Sequence, residues 1–172
     1  MANVPWFWPG VLISGIAGFL VPVLLSRFLA VRPVIAGVLI LALGIILSAT
    51  LTPLRDALEY GATGTGACDF SRLGLAPPAE IRRLNDTSLN ILLFVPLGVV
   101  IGLLSRSWTM VIAVLAAVML PIAIEAIQML VPALARGCQS ADVADNLTGL
   151  AIGWGGGSVE RLFRSGRGSK SN

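Results

Sequence analysis

The stretch from Val34 to Thr52, VIAGVLILALGIILSATLT, contains no charged residue and matches the length of about 20 apolar residues that a helix needs to cross a bilayer. Pro33 precedes it, and Pro53 with Arg55 ends it. Gly37 and Gly44 inside it suit close packing against a neighbouring helix. Working outward, the same apolar pattern recurs. A first span reads from Val11 to about Ala30, with Pro22 as a kink and Arg27 able to snorkel near its end. Others read from Ser88 to Leu104, closed by Arg106, and from Thr109 to Val131, with Trp108 as an interfacial anchor. A last segment, Asp142 to about Val159, is the least apolar: it opens with two carboxylates and carries Gly155, Gly156 and Gly157. Should it stop short of crossing, four spans remain. The expected fold is an all-α integral membrane protein, a compact bundle of about five transmembrane helices forming a single domain over residues 1–172.

Composition agrees. Of 172 residues, 56% are hydrophobic and 12% charged, with mean hydropathy +0.88; a soluble domain carries about 25% charged residues. Spans of this number leave no room for a separate soluble domain. Met1 to Gly10 carries no basic run before its apolar residues, so it is expected to stay as part of the first membrane segment rather than be cleaved as a signal peptide. The basic residues are scattered, mostly singly, which argues against a nucleic-acid surface and for charges that orient membrane spans.

Five spans put Arg27, Arg32, Arg106, Arg161, Arg164, Arg167 and Lys170 on one side, with Glu160 as the one acid. The other side receives Arg55, Arg72, Arg82, Arg83 and Arg136, offset by Asp56, Glu59, Asp69, Glu80 and Asp86. Most of these lie in the one long loop, Arg55 to Thr87, where glycines and the pair Pro77 and Pro78 gather. Because short loops dominate the positive-inside rule, the N-terminus is expected outside and the C-terminus cytoplasmic, with residues 161–172 as a basic tail. Cys68 in the long loop and Cys138 in the loop after the fourth span then share the outer face. A disulfide between them is expected, the alternative being two unpaired thiols.

Polar residues inside the spans are grouped. Asp86 and Asn90 share a helix face at the outer start of the third span; Glu125 and Gln128 do so near the outer end of the fourth. Asp142, Asp145 and Asn146 share one at the outer start of the fifth, with Gly149 and Gly153 continuing the stripe. These patches are expected to line one polar, net acidic pocket at the outer face, roofed by loops carrying Arg82, Arg83, Arg136 and the cysteines. An ionisable residue in a span costs on the order of 2.5 to 3.5 kcal/mol even on lenient scales, so Glu125 reads as functional by default. The competing reading is an interhelical pair with Asn90 or Arg136. Asp86 and Asp142 stand where helices begin, and capping of free N–H groups competes with a ligand role for both. Gly149 and Gly153 read as packing positions.

Known catalytic patterns are absent: no His at all, no P-loop, no G-x-S-x-G elbow and no metal signature. Glu125, Asp142 and Asp145 could offer oxygen ligands, but no loop spacing enforces a cation site. The metal expectation is therefore none, and the sequence names no cofactor.

The ordered set of segments Asp86-Thr-Ser-Leu-Asn90-Ile-Leu-Leu-Phe94-Val-Pro96-Leu-Gly98, Glu125-Ala-Ile-Gln128, Arg136-Gly-Cys138-Gln-Ser-Ala-Asp142 and Asn146-Leu-Thr-Gly149 with Gly153 resembles the VanZ-like family. The resemblance covers about residues 50–155. That family is named for a membrane protein linked to low-level resistance to teicoplanin, a glycopeptide that acts on wall precursors outside the membrane. The resemblance implies a multi-pass protein of the bacterial plasma membrane and cell envelope. It carries over Asn90, Glu125, Gln128, Arg136, Asp142 and Asn146 as motif positions.

Three functions are open at this level. The first is a binding protein whose outer pocket takes a lipid or wall-precursor headgroup through Asn90, Gln128, Arg136, Asn146 and Asp86. The second is an intramembrane enzyme acting on an envelope lipid or glycan, with Glu125 as acid or base, Asp142 supporting it and Arg136 holding a phosphate. The third is a proton- or cation-coupled transporter, against which stands the clustering of polar residues at one leaflet. Expected partners are membrane lipids or lipid-linked wall precursors, with a homo-oligomer or larger membrane complex left open.

Overall fold

A computed structural model describes residues 4–29, 32–104 and 108–168. Ala30 at the end of the first expected span, Arg106 and Lys170 lie outside the described residues. The described chain is α-helical apart from two short strands. Helix α1 runs Phe7–Leu20, α2 Pro22–Leu29 and α3 Pro33–Thr50; α4, Arg55–Tyr60, and α5, Pro78–Ile81, are short helices within the long loop. Then come α6, Asp86–Leu103, α7, Trp108–Leu130, a single 3-10 turn at Pro132–Leu134, and α8, Ser140–Gly168. The strands β1, Cys68–Asp69, and β2, Cys138–Gln139, pair in parallel with Cys68 opposite Cys138.

Helices α3, α6 and α7 are each long and apolar enough to cross a bilayer. The first apolar segment begins at Phe7, earlier than the expected Val11, and is interrupted at Val21. Pro22 has no N–H to donate and its ring crowds the preceding turn, so the expected kink is a break between two helices. Asn85, one residue before Asp86, caps α6: its side chain accepts from the Ser88 N–H at 3.0 Å, and Ser88 Oγ accepts from the Asn85 N–H at 3.1 Å. The cap reading for Asp86 is thereby corrected, which leaves this exposed carboxylate at the first helical position, where it suits the dipole.

Small residues set how the helices meet. A Cβ on Gly18 would stand 3.0 Å from the carbonyl of Gly37, and one on Gly44 would collide with Ser14, so α1 lies tight and antiparallel on α3. The seam between α6 and α8 is tighter. A Cβ on Gly149, Gly153 or Gly157 of α8 would run into the carbonyls of Ile91, Val95 and Val99 in turn, so the two helices run parallel, backbone against backbone. Helix α8 is 29 residues long, about 43 Å at helical rise, and accompanies α6 along its length. Its run Gly155 to Gly157 stays helical. Ala42, Ile46, Phe94, Leu97, Ile101, Ile124 and Leu150 form the core where α3, α6, α7 and α8 meet. Outward faces carry large apolar side chains such as Leu12, Ile13, Ile112 and Leu115.

Candidate functional site

The helix directions bring the end of α3, the start of α6, the end of α7 and the start of α8 to one end of the bundle. There a cavity of about 600 Å³ opens, lined by Asp86 and Asn90 of α6, Glu125 and Gln128 of α7, Arg136 of the following loop, and Asp142 and Asn146 of α8. Seven of the candidates drawn from the sequence therefore border one space, although they come from four separate segments; Asp145, expected in the same lining, does not border it and is buried against Arg72 instead. Arg82 and Arg83, expected in the roof, are exposed on the long loop and do not line it.

Three of these side chains are held by specific contacts. Gln128 donates from Nε2 to the Thr50 carbonyl at 2.9 Å, tying α7 to the C-terminal end of α3. Arg136 donates from Nε to the Thr52 carbonyl at 3.0 Å. Ala135, just before it, has φ 53°, a left-handed conformation that Ala rarely adopts and that turns the chain so Arg136 faces the cavity. Burial lowers the pKa of the Arg136 guanidinium, and the nearby Glu125 carboxylate works in the opposite direction. Glu125, 5% exposed, accepts from the Gln139 backbone N–H at 2.7 Å. Its hydrogen-bond partner is thus a loop amide rather than Asn90 or Arg136. Asn90 of α6 and Asp142 of α8 border the cavity together.

Two polar atoms at this cavity are buried without a hydrogen-bond partner among the described residues: Nη2 of Arg136 and Oδ1 of Asn146, a residue only 1% exposed. Buried polar groups are nearly always satisfied, so such atoms beside an open space are groups that a ligand or water would satisfy. Among the described residues, no group of three or more His, Cys, Asp or Glu side chains converges to hold a metal ion.

The long loop closes over this end. Cys68 and Cys138 lie at disulfide distance, with Cα atoms 4.4 Å apart. Gly64 donates its N–H to the Pro132 carbonyl at 2.7 Å, and Leu54 donates to that of Leu134 at 3.1 Å. Sequence reading missed the strongest link: Arg72 donates to Asp145, whose carboxylate is 1% exposed, across 2.5 Å. Asp145 raises the pKa of Arg72, chiefly through that hydrogen bond. Ser140 Oγ donates to the Arg72 carbonyl at 2.7 Å, so Arg72 docks on the first turns of α8 through backbone and side chain together. A loop arginine and a helical aspartate so far apart in the chain give no local signal.

Arginines gather at the opposite end. Arg27 closes α2, Arg32 precedes α3, and Arg161 of α8 donates to the Leu104 carbonyl at the end of α6.

No curated protein and no solved structure matches this chain. Residues 39–160, most of α3 through α8 with every polar residue that lines the cavity, match the VanZ/LLP1 family. With this match over most of its length, the chain belongs to the VanZ/LLP1 family.

Proposed function

We propose that this protein crosses the bacterial plasma membrane five times, with the cavity at the outer leaflet, and binds there the polar headgroup of a lipid or lipid-linked wall precursor. The observation that carries the reading is the pair of buried, unsatisfied atoms, Arg136 Nη2 and Asn146 Oδ1, on a cavity of about 600 Å³. Carboxylates and amides accept and donate to hydroxyl or amino groups, and the single guanidinium suits one anionic group. A headgroup combining the two fits the lining.

Two further features support the topology. Helix α8 follows α6 along its whole length, so it reaches the same depth despite its glycines. Arg27, Arg32, Arg161 and Arg164 gather at the end away from the cavity, which the positive-inside rule assigns to the cytoplasm. Sequestering such a headgroup would alter access of glycopeptides to targets at the outer face.

Glu125 and Asp142 border the same space, and that observation keeps an enzyme reading in view, with Glu125 as acid or base and Asp142 supporting it. A coupled transporter finds less support, because Ile46, Phe94, Leu97 and Ile124 pack below the cavity as an apolar core.

Mass profiles of whole lipids and wall precursors, from cells producing the native chain or Glu125→Gln at matched membrane levels, test the reading. Binding predicts coinciding profiles. A species that gains or loses a defined mass only with the native chain establishes the enzyme instead.

A further inference from the structure

Helices α6 and α8 are sealed by glycines, whereas α7 and α8 diverge. Along them lie two apolar chambers, the upper one also walled by Phe70 and Leu73 of the long loop. The upper one, about 410 Å³, is bordered by Ile122 of α7 and Leu147 of α8, and shares Glu125 and Gln139 as a common wall with the polar cavity. The lower one, about 220 Å³, is bordered by Val114 and Val118 of α7 and by Leu150 and Trp154 of α8, and shares Leu147 with the chamber above. Val114, Val118 and Ile122 are spaced by four, so they form one stripe along α7; Leu147, Leu150 and Trp154 form the facing stripe on α8. From Glu125 to Val114 the cleft descends about 16 Å by helical rise, about half the hydrocarbon thickness of a bilayer.

We infer that the α7–α8 cleft holds one hydrocarbon chain of the amphiphile whose headgroup occupies the polar cavity. This inference rests on the headgroup reading above and adds the class of ligand: a lipid with a long acyl or isoprenoid chain, entering sideways from the outer leaflet. An outward helix face would solvate its apolar residues in any lipid. The cleft differs in being recessed between two helices, one leaflet deep, and walled at its top by the same Glu125 that borders the polar cavity. A chain there fills space that would otherwise leave the partly buried Val114, Val118 and Leu147 without packing partners on one side.

Photo-crosslinking from within the protein tests this while the ligand is still unidentified. p-Benzoylphenylalanine is placed at Ala151, on the cleft, or at Ile152, the neighbouring apolar residue that does not border it. The full chain is irradiated in native membranes and its intact mass is measured. The expected result is one dominant adduct mass at Ala151 and a mixture matching bulk lipid at Ile152. A second probe at Val118, across the cleft, should capture the same species, which guards against disturbed packing at Ala151. Bulk-lipid adducts at Ala151 and Val118 alike overturn the chain site, whatever occupies the headgroup cavity. Adding Glu125→Gln separates the two readings: loss of the dominant adduct supports the joined site. Its persistence overturns the joining through Glu125 while leaving a chain site.

Discussion

The carboxylate of Glu125 and the backbone amide of Gln139 meet at 2.7 Å, one residue beyond the cysteine that ties the long loop to the loop after α7. A buried acid in a long apolar helix is therefore positioned by the segment that follows that helix, and that segment lies at disulfide distance from the long loop. Glu125→Gln keeps an oxygen to accept from Gln139, so the variant should fold and melt within about 1 kcal/mol of the native chain while losing its ligand. Glu125→Ala leaves that amide unpaired and should cost about 1 to 3 kcal/mol. Unfolding in detergent, followed by retention of co-purified lipid, measures both.

Arg72 and Asp145 form the most buried ion pair among the described residues. Removing one partner strands a buried charge, so Arg72→Ala should destabilise by roughly 3 kcal/mol, the lower end of the usual range because Arg72 keeps some exposure. Arg72→Met combined with Asp145→Leu should recover most of that loss. Equal stability for Arg72→Ala and the native protein in a denaturant titration would show that the pair does not anchor the loop.

The glycine seam makes a paired prediction. Gly153→Ala places a methyl against the Val95 carbonyl and should cost about 1 to 3 kcal/mol as α6 and α8 are pushed apart. Gly156→Ala, with nothing within 4 Å of the new Cβ, should be neutral or stabilise by about 0.5 kcal/mol through lower unfolded-state entropy. Thermal melts of the two variants side by side decide it.

The cysteine pair closes a loop across a sequence separation of 70. Loop-closure entropy sets an upper bound of roughly 4 kcal/mol on its contribution. Cys68→Ser should lower the melting temperature and expose the long loop to protease. It should also leave Cys138 open to alkylation, whereas the native chain under oxidising conditions should label at neither cysteine.

Much of the bundle was legible because burial in lipid demands uninterrupted apolar length: Val34 to Thr52 and Thr109 to Val131 nearly coincide with α3 and α7. The grouping of Asn90, Glu125 and Asn146 was legible as well, since helical spacing puts polar residues on one face and each spans one level of the bundle. Helix α8 was harder to read, because its depth comes from glycines fitted to the backbone of α6 and not from hydropathy. The cap at Asn85 was masked by the acidic residue beside it. Arg72 was illegible for another reason: its partner, Asp145, belongs to a different segment, and pairing at that distance depends on loop paths that composition does not encode. The break at Val21 exceeds what a single proline announces, as whether a helix bends or stops depends on what packs against it.

The central claim is that the cavity bordered by Arg136 and Asn146 binds an amphiphile. Native mass spectrometry of the protein released gently from its membranes measures this most directly, for the native chain and for Asn146→Leu, which fills the buried site with an apolar side chain. The account predicts one amphiphile retained per native chain and none on Asn146→Leu. Bare protein in both samples, or the same lipid retained by both, would contradict it.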